Sequence, residues 1–465
     1  MDKKNAGKEF MRVKGLTLRF LLNATNGKLS GNHRVITGVS IDSRTIKRGE
    51  VFFALRGENY DGTVFVKDAL RKGAAYTVVD RNTAVSEGVI KVGDTLFALG
   101  ELARRWRERF SVKCIGITGT GGKTTTRKII NHLLTGSFKC SQSMRNYNNM
   151  IGLPLSTLTI NGKTEIAILE MAMNHRGEIR RLSHISHPEV GVITNVGRGH
   201  LEFLGSIKNV AEAKSELLAS LKRGNVAILN ADDRYIMKMR RKTGLEVITF
   251  GIENPSDFTA GNIKVGKTDS KFSVNGIDNF ELKLPGRFNI YNALAGIATA
   301  SLFGIGSDTL KKRLRTLRAE PLRLNRILAG GVILYNDSYN ANPDSMGAAI
   351  SAVAKEEGKR RIACLADMLE LGKRTKEFHG AVGRKLLRNH FDVVFLYGPL
   401  SIHIARALRA ESFKGLITHF SLRSELTDEL LRTVRKGDVI LIKGSHRNRL
   451  DITAKTLIKH LRGRK

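Results

Sequence analysis

Cysteine is scarce. The 465 residues hold only Cys114, Cys140 and Cys364. An odd number without ligand spacing excludes a disulfide framework and points to reduced, structural thiols. Long apolar runs are also missing, and nothing approaches the length of a membrane span. The opening M-D-K-K-N-A-G-K-E-F offers no leader-like apolar core, since Arg12, Lys14 and Arg19 interrupt the only candidate. A soluble, cytoplasmic protein is expected. Aromatic residues make up just 6% and hardly interleave with the basic ones. That leaves no stacking platform for nucleic acid.

Acidic residues are the other deficit. Against 78 Lys+Arg stand 43 Asp+Glu, a formal charge of +35. Such a balance favours anionic partners, nucleotides among them. The basic residues are spread along the chain, with clusters at Arg104-Arg105, Arg240-Arg241-Lys242, Lys311-Lys312-Arg313 and Arg360-Arg361. There is no polybasic tail, repeat or low-complexity tract. The length suits two to four domains.

The most informative stretch is Cys114–Thr126, C-I-G-I-T-G-T-G-G-K-T-T-T. An apolar run reads as a buried strand, three glycines follow, and Lys123 and Thr124 open a helix. Backbone amides of such a loop close on phosphate oxygens, and the helix N-terminus adds its dipole. The cradle would comprise Thr118, Gly119, Thr120, Gly121, Gly122, Lys123, Thr124 and Thr125. Lys123 would neutralise β/γ-phosphates and the Thr124 hydroxyl would meet Mg²⁺. The spacing is short: Ile117 stands where the strict phosphate-loop pattern wants glycine.

Short strands and loops fill the first hundred residues, with buried strands expected at Gly49–Leu55 and Ala74–Asp80. A helix near Asp94–Phe110 buries Leu99, Leu102, Ala103, Trp106 and Phe110 at helical spacing. Apolar runs at Glu165–Ala172, Glu189–Gly197 and Asn225–Asp232 predict strands of a parallel sheet, followed by a helix at Tyr291–Phe303. Lys311–Arg318 and Pro321 mark a boundary. Beyond it, strands at Gly331–Asp337, Arg361–Asp367, Phe391–Gly398, Leu416–Phe420 and Asp438–Ser445 alternate with helices, as in a second doubly wound domain. The expectation is an α/β chain of three domains. Residues 1–108 form a small N-terminal α/β domain, 109–320 a central, mostly parallel phosphate-loop domain, and 321–465 a Rossmann-like domain.

Polar residues gather where these strands end, the side on which open α/β sheets bind ligands. Glu170 is placed either as a Mg²⁺ ligand or as an ion-paired carboxylate. His200, in T-N-V-G-R-G-H-L-E, is a metal or acid–base candidate or a plain loop histidine. Lys214, taken alone, is an ordinary helical lysine. Asp337, Asn340 and Asn342 either grip a nucleotide or shape a turn. Residue chemistry thus reaches an ATP-using, Mg²⁺-dependent α/β enzyme with its site between two sheets.

Together these residues resemble the Mur ligase family, from about Ser40 to Asp451. The resemblance rests on T-G-T-G-G-K-T-T-T, on N-Y-N-N-M-I-G-L-P-L (Asn146–Leu155) and on E-M-A-M-N-H-R-G-E-I (Glu170–Ile179). D-S-Y-N-A-N-P-D-S-M (Asp337–Met346) and A-D-M-L-E-L-G (Ala366–Gly372) complete it. Two places depart from the family pattern. P-L-R-L-N (Pro321–Asn325) replaces P-G-R-L-E, and K-G-S-H-R puts His446 at an arginine position.

The resemblance implies ATP and Mg²⁺ as cofactors. Lys123, Lys214, His200 and Arg323 would be the catalytic residues, and Thr124, Glu170, His200 and Lys214 the metal ligands, with Lys214 carbamylated. Asn289 and Asn292 would contact adenine, Arg323 the γ-phosphate and Asp337 the nucleotide. Ser43 and Arg44 would hold a uridine diphosphate. Asn146, Asn148, Asn149, Asn174 and His175 would line a muramoyl-peptide channel. The implied reaction joins D-alanyl-D-alanine to UDP-N-acetylmuramoyl-tripeptide through an acyl phosphate, in a monomer that binds no nucleic acid. A sister ligase, folylpolyglutamate synthase and a nucleic-acid-stimulated ATPase are the alternatives.

Overall fold

Three sheets follow one another along the chain. The computed structural model describes residues 12–30, 33–57, 60–80, 87–144, 146–240, 244–320 and 322–463. Pro321, Arg241, Lys242 and the opening segment lie outside them.

The N-terminal sheet has five strands in the order Lys28–Ser30, Val89–Val92, Tyr76–Asp80, Glu50–Phe53 and Gly38–Ser40. Only its first pair is antiparallel. The helix Thr95–Arg107 follows, with the Asp94 carboxylate accepting from Phe97 N at its start. Leu99, Leu102, Ala103 and Trp106 are buried as expected, but the helix stops at Arg107, and Phe110, beyond it, is half-buried. Trp106 donates from Nε1 to Ile160 O at 2.8 Å and meets Phe20 edge-on, joining the N-terminal helix Leu18–Thr25 to the central domain.

The central sheet has nine strands. From one edge they run Cys140–Gln142, Ile166–Glu170, Lys113–Thr118, Val190–Ile193, Val226–Asn230, Glu246–Gly251 and Phe258–Val265. These are parallel, and the antiparallel strands Ser270–Val274 and Ile277–Leu282 complete the other edge. Lys113–Thr118 is central and apolar on both faces, which explains its unbroken hydrophobic run. One face carries the helices Lys123–Leu134 and Arg287–Leu302, and the other Glu178–Ser186 and Ile207–Ala219. The helix expected from Tyr291 begins four residues earlier, at Arg287. Its first turn alternates Arg287 and Asn289 with Phe288 and Ile290, a mixed pattern that does not mark a helix start.

The C-terminal sheet runs Asn325–Ala329, Val332–Asp337, Asp438–Lys443, Arg360–Ala366, Val393–Tyr397 and Leu416–Phe420. All but the first pair are parallel, and helices cover both faces. Cys114 and Cys364 are buried in strands, and burial pushes the Cys114 thiol up to about 12. No helix among the described residues is long and apolar enough to cross a membrane.

Candidate active site

The phosphate loop is held from behind by the strand end next to it. Thr194 Oγ1 donates to Gly121 O at 2.6 Å, and Asn195 Oδ1 accepts from Gly121 N at 2.9 Å. Thr120 N donates to Asn195 O at 3.0 Å, while Gly197 N donates to Thr120 Oγ1 at 2.9 Å. At Gly119 and Gly122 the packing leaves no room for a side chain. A Cβ on Gly119 would stand 1.9 Å from Thr194 Oγ1, and one on Gly122 would stand 2.3 Å from Asn292 Oδ1. Gly122 also has φ +79°, in the left-handed region that glycine adopts without strain. Thr118 is fully buried beneath the loop, and Thr125 sits half-buried on the first helical turn.

Three elements converge at Thr124. Its hydroxyl donates to the Glu170 carboxylate, 2.9 Å from Oε2. Arg323, from the far side of the domain junction, donates from Nη2 to the same hydroxyl at 2.8 Å. Asn148 Nδ2 donates to Glu170 Oε1 at 2.9 Å, and Arg127 Nε lies 3.8 Å from Oε2. Glu170 is 1% exposed, and these contacts occupy both of its carboxylate oxygens. Arg323 also lies over the Tyr339 ring, 4.0 Å from its centroid. Lys123 Nζ donates to Gly119 O at 2.8 Å, curled across the loop. Burial lowers its pKa, Glu170 pulling it back up and Arg323 pressing it further down.

The second cluster is His200 with Lys214. His200 takes a left-handed conformation, φ +56°, and its Nδ1 is 2.7 Å from Glu370 Oε2. Burial lowers its pKa, the Glu370 contact opposes this, and Lys214 and Lys123 add to it. Lys214 is 2% exposed, and its ammonium has no hydrogen bond or ion pair among the described residues. Burial, with Lys123 nearby, drives its pKa well below the ordinary lysine value.

The remaining expected residues are more dispersed. Asn289 and Asn292 are buried behind the loop: Asn292 Oδ1 accepts from Thr126 Oγ1 at 3.3 Å, and Asn289 Nδ2 donates to Pro285 O at 2.8 Å. Asp337 accepts from Leu324 N at 2.9 Å and from the buried Lys443 Nζ at 2.6 Å, so it also braces the Arg323 segment. Asn342 caps the helix Pro343–Val353, and Asn340 O accepts from Lys443. Asn149 caps its own turn, Asn146 is exposed, and His175 meets Phe203 edge-on. Asn174 N donates to Glu178 Oε2. Ser43 is buried and Arg44 is paired with Asp42; neither contacts the phosphate loop.

Asn195, Arg127, Tyr339, Lys443 and Glu370 were not anticipated. Asn195, Tyr339 and Glu370 all lie within the quoted motifs or beside His200, and that adjacency was the available signal.

The donor chemistry fits Mg²⁺. A hydroxyl and a carboxylate side by side suit a hard cation. Among the described residues no three His, Cys, Asp or Glu side chains form a preformed cage. The unpaired, buried Lys214 amine beside His200 fits conversion to an anionic carbamate, because a bare ammonium would repel a cation.

This is the architecture of a phosphate-activating ligase: a phosphate loop closed by an arginine from a second α/β domain. Three family models match in order, the Mur ligase family catalytic domain at residues 35–107, the Mur ligase middle domain at 117–300 and the Mur ligase glutamate ligase domain at 322–446. The chain belongs to the Mur ligase family. It is 36% identical over 431 residues to the UDP-N-acetylmuramoyl-tripeptide–D-alanyl-D-alanine ligase of Bacillus subtilis, covering 91% of this chain and 94% of that protein. MurF from Acinetobacter baumannii superposes with a TM-score of 0.85 at 26% identity, over 95% of this chain and 98% of that one. A MurF ligase from Thermotoga maritima, solved with ADP, gives 0.80 at 30% identity, over 92% and 98%.

Proposed function

We infer that the chain joins D-alanyl-D-alanine to UDP-N-acetylmuramoyl-tripeptide with hydrolysis of ATP to ADP and phosphate, forming the pentapeptide precursor of peptidoglycan. The observation that carries this reading is the meeting of Thr124, Glu170 and Arg323 at the phosphate loop. Likeness to the Bacillus subtilis ligase supports the choice of substrates.

The tripeptide carboxylate takes the γ-phosphoryl group of ATP and ADP leaves. The acyl phosphate is then attacked by the free amine of D-alanyl-D-alanine, and phosphate leaves. A bare carboxylate is a poor acyl donor, and phosphorylation supplies the leaving group. Lys123 and Arg323 neutralise charge on the transferring group, and the loop amides hold the phosphates in line. Mg²⁺, when bound, adds charge neutralisation and alignment of the reactants. Thr124 and Glu170 would hold one ion, His200 and carbamylated Lys214 a second. Alignment of acyl phosphate and amine can recover about 7–11 kcal/mol of barrier.

Asn289, Asn292 and Asp337 are assigned to the nucleotide. Ser43 and Arg44 are assigned to the uridine diphosphate, and Asn146, Asn148, Asn149, Asn174 and His175 to the muramoyl peptide. We set the domain limits at 1–108, 109–320 and 321–465, supported by the three successive sheets. We take the working unit to be a single chain that acts in the cytoplasm without nucleic acid.

The test is substrate-dependent phosphate release: Mg-ATP turnover needing both the tripeptide and the dipeptide, with the pentapeptide identified by mass. Turnover with free glutamate or diaminopimelate in place of the dipeptide would assign a sister reaction instead.

A further inference from the structure

Arg323 stands on a backbone whose shape its surroundings impose. Leu322 and Leu324, on either side of it, both take left-handed conformations, φ +64° and +45°. Residues with a Cβ avoid that region, and such strain persists where neighbouring structure holds it. Here the neighbour is the end of the strand Val332–Asp337. Leu324 N donates to Asp337 Oδ1 at 2.9 Å, and Tyr339 N donates to Leu322 O at 3.2 Å. The same tyrosine also meets the side chain, since Arg323 Cζ lies 4.0 Å from its ring centroid. His446 packs edge-on against that ring, with centroids 5.8 Å apart. Leu322 and His446, one from each departure from the family pattern, thus meet at one tyrosine. From the other side, Arg323 Nη2 donates to Thr124 Oγ1 at 2.8 Å.

We propose that Tyr339 is a positioning residue for Arg323: its ring face orients the guanidinium within the C-terminal domain and aims it at the Thr124 hydroxyl beside the phosphate loop. The inference rests on the assignment of Arg323 to the transferring phosphoryl group. An arginine side chain has much rotamer freedom to lose when it is fixed. An aromatic face attracts the cation through the ring quadrupole and matches the flat guanidinium. A charge fixed in place beforehand needs no reorganisation as the phosphoryl group transfers. Ring and guanidinium belong to the same domain, so this orientation does not wait for contact with Thr124. The bond from Tyr339 N to Leu322 O is backbone only, so replacing the side chain at 339 isolates the part played by the ring.

The experiment takes two readouts from the full chain, with circular dichroism checking that each variant is folded. The first is the Nε–H signal of Arg323 in ¹⁵N-arginine-labelled protein, identified by its loss in Arg323→Lys. Protons held over an aromatic face are shifted upfield. That shift should be present in wild type and in Tyr339→Phe, and absent in Tyr339→Leu. The second is phosphate release dependent on the tripeptide and the dipeptide. Tyr339→Leu should lower kcat about tenfold or more while KM for ATP stays within about threefold. Tyr339→Phe should keep kcat within about threefold. Arg323→Ala should lower kcat roughly a hundredfold or more. Adding Tyr339→Leu to Arg323→Ala should then cost less than about twofold, because the ring has nothing left to position. Wild-type kcat in Tyr339→Leu, or losses that multiply in the double variant, would overturn the role of Tyr339 alone. An Arg323 signal that Tyr339→Leu does not move would overturn the ring contact itself. Wild-type kcat in Arg323→Ala would overturn the reading of Arg323, and the proposal with it.

Discussion

Lys214 is folded where, among the described residues, its amine finds no anionic partner. Its pKa in the folded chain falls well below 10.5, chiefly through burial. Between the folded value and 10.5 the unfolded chain holds a proton that the folded chain has released. Stability of the unmodified chain therefore rises with pH through that window, and the buried ammonium is a burden below it. Lys214→Met should raise the thermal midpoint at neutral pH, flatten this dependence and abolish ligation. A lower midpoint in a folded variant would show that the amine has a partner. Lys123 is different, since its contacts are to the loop itself. Lys123→Ala should leave the fold intact and reduce turnover roughly a hundredfold or more, read as phosphate release.

Among the elements, the helix Thr95–Arg107 shows what one side chain can join. Trp106 is buried at 1% exposure, between Phe20 and the Ile160 carbonyl. Trp106→Ala should cost about 3–5 kcal/mol as a large core truncation, measured by denaturant unfolding. Trp106→Phe should cost less but leave the Ile160 carbonyl without its donor, about 1–3 kcal/mol. In the C-terminal domain, Glu356, in the turn before the strand Arg360–Ala366, accepts from Arg326 Nε at 2.9 Å and Tyr335 Oη at 2.7 Å. Burial pushes its pKa up, but these two hydrogen bonds outweigh it and hold the carboxyl below its ordinary 4.5. Its stabilising contribution is present above pH 4.5 and is lost as pH falls through the lower folded value. Glu356→Gln should therefore lower stability at pH 7 and make the acid limb of the stability curve shallower.

The same elements show why some of the structure was legible. Strands buried on both faces, such as Ile166–Glu170 and Val393–Tyr397, leave continuous apolar runs that survive in a single sequence. Cys140–Gln142 and Lys28–Ser30 do not, because three-residue edge strands owe their existence to a neighbour's hydrogen bonds. At the site, the chemistry of Lys123, Thr124 and Glu170 could be read from strand-end position. Lys214 could not, since its distinction is burial, which a helical lysine does not advertise. Glu370 meets His200 across a seam between distant segments, and no local pattern encodes that.

At the scale of the molecule, the domain junction is where the site is made. Arg198 N donates to Asp344 Oδ2 at 2.8 Å and Arg323 crosses to Thr124, so the C-terminal domain grips the loop region at several points. The chain carries 78 basic against 43 acidic residues, and both of its larger substrates are polyanions. A field of that sign speeds encounter and is screened by salt. Raising ionic strength should lower kcat/KM for ATP and for the UDP-linked substrate several-fold while kcat changes little. A kcat/KM independent of salt would show that the charge serves neither substrate.

The most direct test is phosphate release from Mg-ATP with the UDP-linked tripeptide, with and without D-alanyl-D-alanine. Release that needs both, with a pentapeptide product by mass, is the predicted result. Release that ignores both would contradict it.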